Sequence, residues 1–425
     1  LDARSSTARV KNAMFDENFG PYRKRTMSAH QKVSDEAPEY SWLGVLAIAL
    51  GALSLVVTEF LPVGLLSGIA RDLGVTEGTA GLAVTATAIL GFIAAPVTAI
   101  AIGRIDRKRV LLGLTALLIV SSVLSWQAGS FATLLIARVI LGIGVGGFWA
   151  ISITAAAKLV PPEKVHAASS LVFAGISIGS VIAVPAGSYV GAHADWRIAF
   201  LGASILAVVC FILQLVLLPA LKMKAGISVR DFFGLLKDSR VRAIFLTVIF
   251  IVAGQYAGYT FVTPYLEQIT HLNTAIVSGL LFAYGVSTVV GNFVGGAFAG
   301  RNLHSTVVAT VWIFVLSLAA MAAFATSPLF AGAALLVWAL SWGMAPVGTQ
   351  LWLYNATLHA PEAAQAMNTS VFQLSIGLGS LAGGIAVNHI GLHSSMWLGT
   401  VILALAVFMV YIVGRKNPQP AMAGI

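Results

Sequence analysis

Cysteine is nearly absent: the single one, Cys210, lies in an apolar run, so no internal disulfide can form and packing is its expected role. Charge is equally scarce. Only 10% of residues are Asp, Glu, Lys or Arg against 58% hydrophobic, and the mean hydropathy of +0.91 excludes a soluble domain of this length. No Gly-x-x-x-x-Gly-Lys-Ser/Thr phosphate loop occurs, which disfavours direct use of ATP. The eight histidines (His30, His166, His193, His271, His304, His359, His389 and His393) are scattered over tails, loops and helix ends. Without a cluster of nucleophile, metal-ligand or acid-base type, a membrane enzyme is disfavoured, and neither a metal nor a cofactor is implied.

What the chain does have is long apolar runs. A helix needs roughly 20 apolar residues to cross the hydrocarbon, with every backbone N–H and C=O satisfied inside the segment. Twelve runs qualify, at about 42–67, 79–102, 109–127, 131–157, 166–189, 196–219, 242–266, 274–299, 304–325, 329–353, 363–387 and 393–414. We number them spans 1 to 12. The expected fold is all-α and integral to a membrane, with two pseudo-symmetric six-helix halves at 41–220 and 242–415 joined by a cytoplasmic loop at 221–241. Residues 1–40 are polar and mixed in charge, neither signal peptide nor span, and are expected to be a disordered cytoplasmic tail. Residues 416–425 form a second cytoplasmic tail. Met27 stands about 15 residues before span 1 and is a candidate translation start, with Leu1 as the alternative beginning.

Lys and Arg set the orientation, because they accumulate on the cytoplasmic side. With the N-terminus inside, 22 of the 25 basic residues lie inside, Arg71 and Arg197 lie outside, and Arg138 lies within a span. The net charge of +9 is thus a topology signal, and no nucleic-acid motif accompanies it. Within the central loop, Phe232 to Ile244 reads as a short amphipathic surface segment or a plain connector.

An internal repeat supports the two halves. Shifting the chain by 200 residues sets Ile176, Gly179, Ser180, Ala186, Gly191 and His193 of span 5 on Ile376, Gly379, Ser380, Ala386, Gly391 and His393 of span 11. Six-plus-six repeats are the sequence mark of rocking carriers with a midplane site.

Two charges break the apolar pattern, Glu59 in span 1 and Arg138 in span 4. A charge at bilayer depth costs about 2.5 to 3.5 kcal/mol on insertion scales and survives where it pairs or works on a pathway. Counted from the expected span ends at 1.5 Å per residue, Glu59 lies roughly 12 Å and Arg138 roughly 10 Å below the outer surface. A direct or water-mediated interaction is expected, either as a proton-coupling unit or as a structural ion pair. Burial and a nearby guanidinium act on a carboxyl group in opposite senses, so relative movement switches its proton affinity.

Several segments resemble the major facilitator superfamily, specifically its twelve-helix proton-coupled drug antiporter branch, over about residues 40 to 415. Leu134-x-x-x-Arg138-x-x-x-Gly142 resembles the branch motif in which the arginine is linked to proton coupling, and Thr58-Glu59-Phe60-Leu61-Pro62-Val63-Gly64-Leu65-Leu66 is similar to its acidic motif. Gly175-x-x-x-Gly179-x-x-x-Ala183-Val184-Pro185-Ala186-Gly187 resembles the exporter motif in span 5, although Val184 replaces its glycine. The resemblance implies that Gly142, Gly175, Gly179, Pro185 and Gly187 serve gating; close helix packing is the competing reading, since Gly175, Gly179 and Ala183 share one face. Gly103-Arg104-Ile105-Asp106-Arg107-Lys108-Arg109 resembles a shortened loop signature, which implies that Asp106 and Arg107 hold one conformation, against the reading of a solvated turn. Asp195-Trp196-Arg197 is similar to a family turn. Further segments, "VTEFLPVGLL", "GGFWAIS", "KLVPPEKV", "AVPAGS" and "AGQYAGYTFVTP", resemble purine ribonucleoside efflux permeases, with sugar efflux transporters as relatives.

The resemblance implies efflux of a small polar solute, such as inosine or guanosine, against protons. The inner membrane of a bacterium is the expected location, with lipid and protons as partners and a monomer as the working unit. Trp149 lies on the Arg138 face, and Gln255, Tyr256, Tyr259, Gln350, Asn355 and Gln373 are the other substrate candidates, with Trp352, Tyr354 and Asn368 nearby. Aromatic faces with a few amides suit an uncharged planar ligand that stacks and hydrogen-bonds. Sugar or drug efflux by the same mechanism, and a channel, remain alternatives.

Overall fold

Among the described residues, twelve helices are long and apolar enough to cross a membrane: Trp42–Asp72, Glu77–Ala101, Arg107–Trp126, Phe131–Lys158, Pro162–His193, Trp196–Leu217, Ser239–Gln268, Thr274–Ala299, Leu303–Ala323, Pro328–Ala356, Ala363–His389 and Ser394–Ile412. They are spans 1 to 12 in order. The computed structural model describes residues 40–103, 105–221, 228–358 and 360–416. The expectations for the two tails, for His359 and for Arg104 lie outside those residues.

Local chemistry sets the ends. Ser41, Ser130 and Asn273 accept backbone N–H bonds from the first turns of spans 1, 4 and 8, and Asp195 and Asp238 do the same for spans 6 and 7, satisfying donors that a helix start leaves free. Span 7 is interrupted at Thr260 and Phe261. Pro264 explains the break, because it has no N–H to offer the Thr260 carbonyl four residues back and its ring crowds that oxygen. The central loop carries a short helix, Val229–Gly234, whose Phe232 and the following Leu235 are buried in the C-terminal half, while Phe233 and Leu236 remain exposed.

The contacts between spans repeat after six helices. Span 1 packs on spans 5 and 6, span 2 on 4, and span 3 on 4 and 6; span 7 packs on 11 and 12, span 8 on 10, and span 9 on 10 and 12. The halves meet through span 2 against 11 and span 5 against 8. Atomic packing follows the same repeat. A Cβ on Gly179 would meet the Leu53 carbonyl, and one on Gly379 would meet the Ala253 carbonyl, both partners shifted by 200 residues. Glycine at such points lets two backbones touch, the main means of attraction between helices in lipid.

One boundary differs consequentially from the sequence reading. Span 1 runs five residues beyond its expected end, to Asp72, which accepts bonds from Trp196 Nε1 at 3.1 Å and Arg197 Nη1 at 2.7 Å. Glu59 therefore lies about 20 Å below the end of its helix, not roughly 12 Å, and close to its middle. Helix ends were a poor ruler because span 1 projects further than span 4.

On the side opposite the described chain ends, hydrogen bonds tie the halves together. Ser67 donates to Glu267 at 2.7 Å, Gln268 to Glu77 at 2.8 Å, Thr76 to Asn388 at 2.7 Å, and Ser278 to Ser188 at 3.1 Å. Ser380 adds a bond to the Gly81 carbonyl at 3.2 Å. That mouth is closed.

Candidate functional site

Glu59 projects from span 1 into the seam between the halves and is 5% exposed. Its Oε1 accepts from Gln373 Nε2 of span 11 at 3.1 Å. Gln373 itself lies against Gly91 of span 2, where an added Cβ would press closely on the amide. Among the described residues Glu59 is the one buried acidic side chain.

Arg138 is fully buried, yet it makes no ion pair within 4.0 Å among the described residues. Its Nη1 donates to the Thr58 carbonyl at 2.8 Å, and its guanidinium lies 4.8 Å from the Phe200 ring centre. The arginine thus anchors span 4 to the backbone beside Glu59 without an ion pair to its carboxyl group. Three further hydrogen bonds would suit its Nε and Nη2, and these atoms have no partner among the described residues. Gly142, one turn on, brings span 4 against the Thr87 carbonyl of span 2, and Thr87 Oγ1 donates to the Arg138 carbonyl at 3.2 Å.

An aromatic wall continues from Glu59 into the C-terminal half. Phe60 stacks on Tyr256 across the seam, with ring centres 5.7 Å apart and planes at 21°. Tyr256 meets Trp342 and Tyr259 edge-on at 5.9 and 6.0 Å, and Trp342 lies 6.0 Å from Phe372. Tyr259, 200 residues after Glu59, stacks on Tyr284 at 4.9 Å, so the repeat places an aromatic residue where the first half has its acid.

The expected substrate residues divide into three groups. Tyr256, Tyr259 and Gln373 belong to the layer around Glu59. Gln255 is fully buried inside the C-terminal half, donating to Tyr284 at 2.8 Å and accepting from Trp338 at 2.6 Å, so its amide is engaged. Gln350 and Asn355 are exposed near the far end of span 10, and half-buried Trp149 meets Phe148 edge-on at 6.0 Å. Trp149 shares a face with Arg138 but lies about 16 Å along the axis. Sequence reasoning missed Phe60, Trp342 and Phe372; Phe60 stood inside the acidic motif and was the one signal available.

The motif glycines of span 5 lie at close backbone contacts with span 1. A Cβ on Gly175 would meet the Ala49 carbonyl, and one on Gly187 the Leu61 carbonyl, both in span 1; Pro185 is buried within the helix. Asp106 caps span 3 through Lys108 N at 2.9 Å and also accepts from Leu221 N at 2.8 Å, joining the starts and ends of spans in one half. Arg107 is buried, with Nη2 3.4 Å from the Gly103 carbonyl.

The sequence profile of the Major Facilitator Superfamily matches residues 48–380. The chain is 31% identical over 390 residues to a purine ribonucleoside efflux pump NepI of Shigella sonnei, covering 92% of this chain and 98% of that one. The NepI pump of Escherichia coli K12 is 30% identical over 382 residues, covering 90% and 96%. Among solved structures, a D-xylose-proton symporter superposes with a TM-score of 0.70 at 17% identity, covering 86% of this chain and 96% of that one. The nucleoside transporter NupG (D323A mutant) does so with 0.69 at 13%, covering 87% and 99%. The chain belongs to the major facilitator superfamily and is a multi-pass membrane transporter, not an enzyme.

Proposed function

We propose that the protein exports purine ribonucleosides in exchange for protons by alternating access. The observation that carries this reading is Glu59, the one buried acid among the described residues, at the seam of the two halves and bordered by the wall of Phe60, Tyr256, Trp342 and Phe372. An acid there collects a proton when the outer mouth opens and gives it up inward, while stacked rings hold a planar base. The similarity to nucleoside efflux pumps along nearly their full length points the same way. The basic loops support an inner-membrane orientation with both ends cytoplasmic, which makes the closed mouth the outer one. Each chain holds a complete seam, so a monomer suffices.

Efflux of sugars is the second reading, since amides such as Gln373 serve hydroxyl groups equally well. Proton-driven uptake into inverted vesicles, comparing inosine, guanosine, arabinose and a cationic drug, separates the two. Preference for inosine and guanosine is expected; preference for arabinose overturns the substrate class and leaves the antiport mechanism standing. Counterflow of labelled inosine separates a carrier from a channel, because only a carrier exchanges solute across a closed seam.

A further inference from the structure

Gln373 presents an unusual balance of donors and acceptors. Its Nε2 donates to Glu59 at 3.1 Å, but its Oε1 is buried with no partner among the described residues. A buried acceptor left unpaired costs free energy, and a donor within reach relieves it. Glu59, already bonded to the same amide, becomes a donor when its carboxyl group is protonated. A carboxylic acid and a primary amide form a two-point pair, in which the acid O–H donates to the amide oxygen and the amide N–H donates to the acid carbonyl. An ionised carboxylate accepts one of these bonds and leaves the other oxygen facing negative charge.

We propose that Gln373 is the positioning residue that converts protonation of Glu59 into closure of the outer mouth, by forming this acid–amide pair across the two halves. The inference rests on Glu59 being the proton-binding group of the proposed antiport. Because Glu59 belongs to span 1 and Gln373 to span 11, the second hydrogen bond exists only while the halves are together at this level. The same closed arrangement is fastened further out by the Ser67–Glu267 and Glu77–Gln268 contacts. A proton taken from the outer solution by Glu59 completes the pair and holds the outer mouth shut; its release inward removes one bond and frees the halves for the return.

The other charged and titratable groups around Glu59 fit this assignment. Span 4 brings Arg138, committed to the Thr58 carbonyl, and span 7 brings Tyr256, stacked on Phe60. The long helix of span 2, Leu82–Ala101, has no titratable side chain, and spans 3 and 5 carry theirs near their ends. Span 6 has Arg197, held by Asp72, and Cys210, whose thiol donates to the Leu50 carbonyl. Glu267 at the outer end of span 7 is taken by Ser67.

The test is the outer distance between halves, measured by electron spin resonance on the full chain in lipid nanodiscs. Spin labels go on Arg71→Cys and Ala275→Cys, both exposed, in a Cys210→Ala background. The labelled parent is expected to gain the short-distance population as the buffer passes from mildly alkaline to mildly acidic. Glu59→Gln, whose amide forms the same two-point pair permanently, is expected to show the short distance at every pH. Gln373→Leu is expected to lose the pH response, and Glu59→Gln with Gln373→Leu to lose the locked short distance. Gln373→Asn, withdrawn by one methylene, gives the same loss of response, and a single cooperative thermal unfolding transition certifies that these chains are folded. A parent without a pH response, or a Gln373→Leu chain that keeps the parent's response, overturns the inference. Glu59→Gln with parent-like pH-driven transport overturns the antiport reading itself, a separate outcome.

Discussion

Replacing Glu59 by Gln tests the energetics of coupling directly. The substitution is close to isosteric and keeps a side chain able to bond Gln373, so the packing of spans 1 and 11 is retained while the proton-binding group is lost. The magnitude follows from the number of buried acids. Glu59 is the one such side chain among the described residues, so the proposed antiport, if carried by Glu59 alone, moves one proton per cycle. With the membrane potential collapsed, one proton per solute gives about tenfold accumulation for each unit of pH gradient, or about 1.4 kcal/mol. The assay is inosine accumulation in inverted vesicles under imposed gradients, with potassium and valinomycin clamping the potential. The unaltered chain should follow the tenfold line, and Glu59→Gln, its outer mouth held shut by the permanent amide pair, should still bind inosine but not accumulate it. A hundredfold slope in the unaltered chain, or undiminished accumulation by Glu59→Gln, would refute the one-carboxyl reasoning.

Removing the Tyr256 ring should weaken substrate binding through loss of the Phe60 stack, by about 0.5 to 1.5 kcal/mol, so Tyr256→Leu should raise the inosine Kd severalfold, read by calorimetry, while exposed Gln350→Ala leaves it unchanged. Gly175→Val should force spans 1 and 5 apart at the Ala49 carbonyl and lower thermal stability by about 1 to 3 kcal/mol, measured as a lower Tm in detergent; an unchanged Tm would count against the close contact. Arg138→Met removes the donor to the Thr58 carbonyl and should cost about 1 to 3 kcal/mol, with Arg138→Lys recovering part of it; the same unfolding measurement decides.

The closure of the seam shows how far one residue's meaning can change with its surroundings. Gln373, Tyr256 and Phe60 come from three spans, and Gln373 is 314 positions from Glu59 in the chain. Gln255, adjacent to Tyr256 in sequence, points its amide into a separate bonding pair with Tyr284 and Trp338. Adjacent helical residues differ in direction by about 100°, so a cluster of suitable residue types says little about which of them share a cavity.

Apolar run length by itself determined the twelve spans, because an unpaired backbone group is too costly in hydrocarbon for another solution. The 200-residue repeat and the motifs around Glu59 and Arg138 likewise marked two halves and two buried charges. Their partners were decided only by tertiary structure. Arg138 settled on the Thr58 carbonyl instead of the Glu59 carboxyl, and Glu59 met an amide from the other half. Hydropathy is summed along one helix, whereas these contacts depend on how far each helix projects and how it is rotated against its neighbours. Those quantities are fixed where glycine faces such as Gly175 and Gly142 let particular backbones touch.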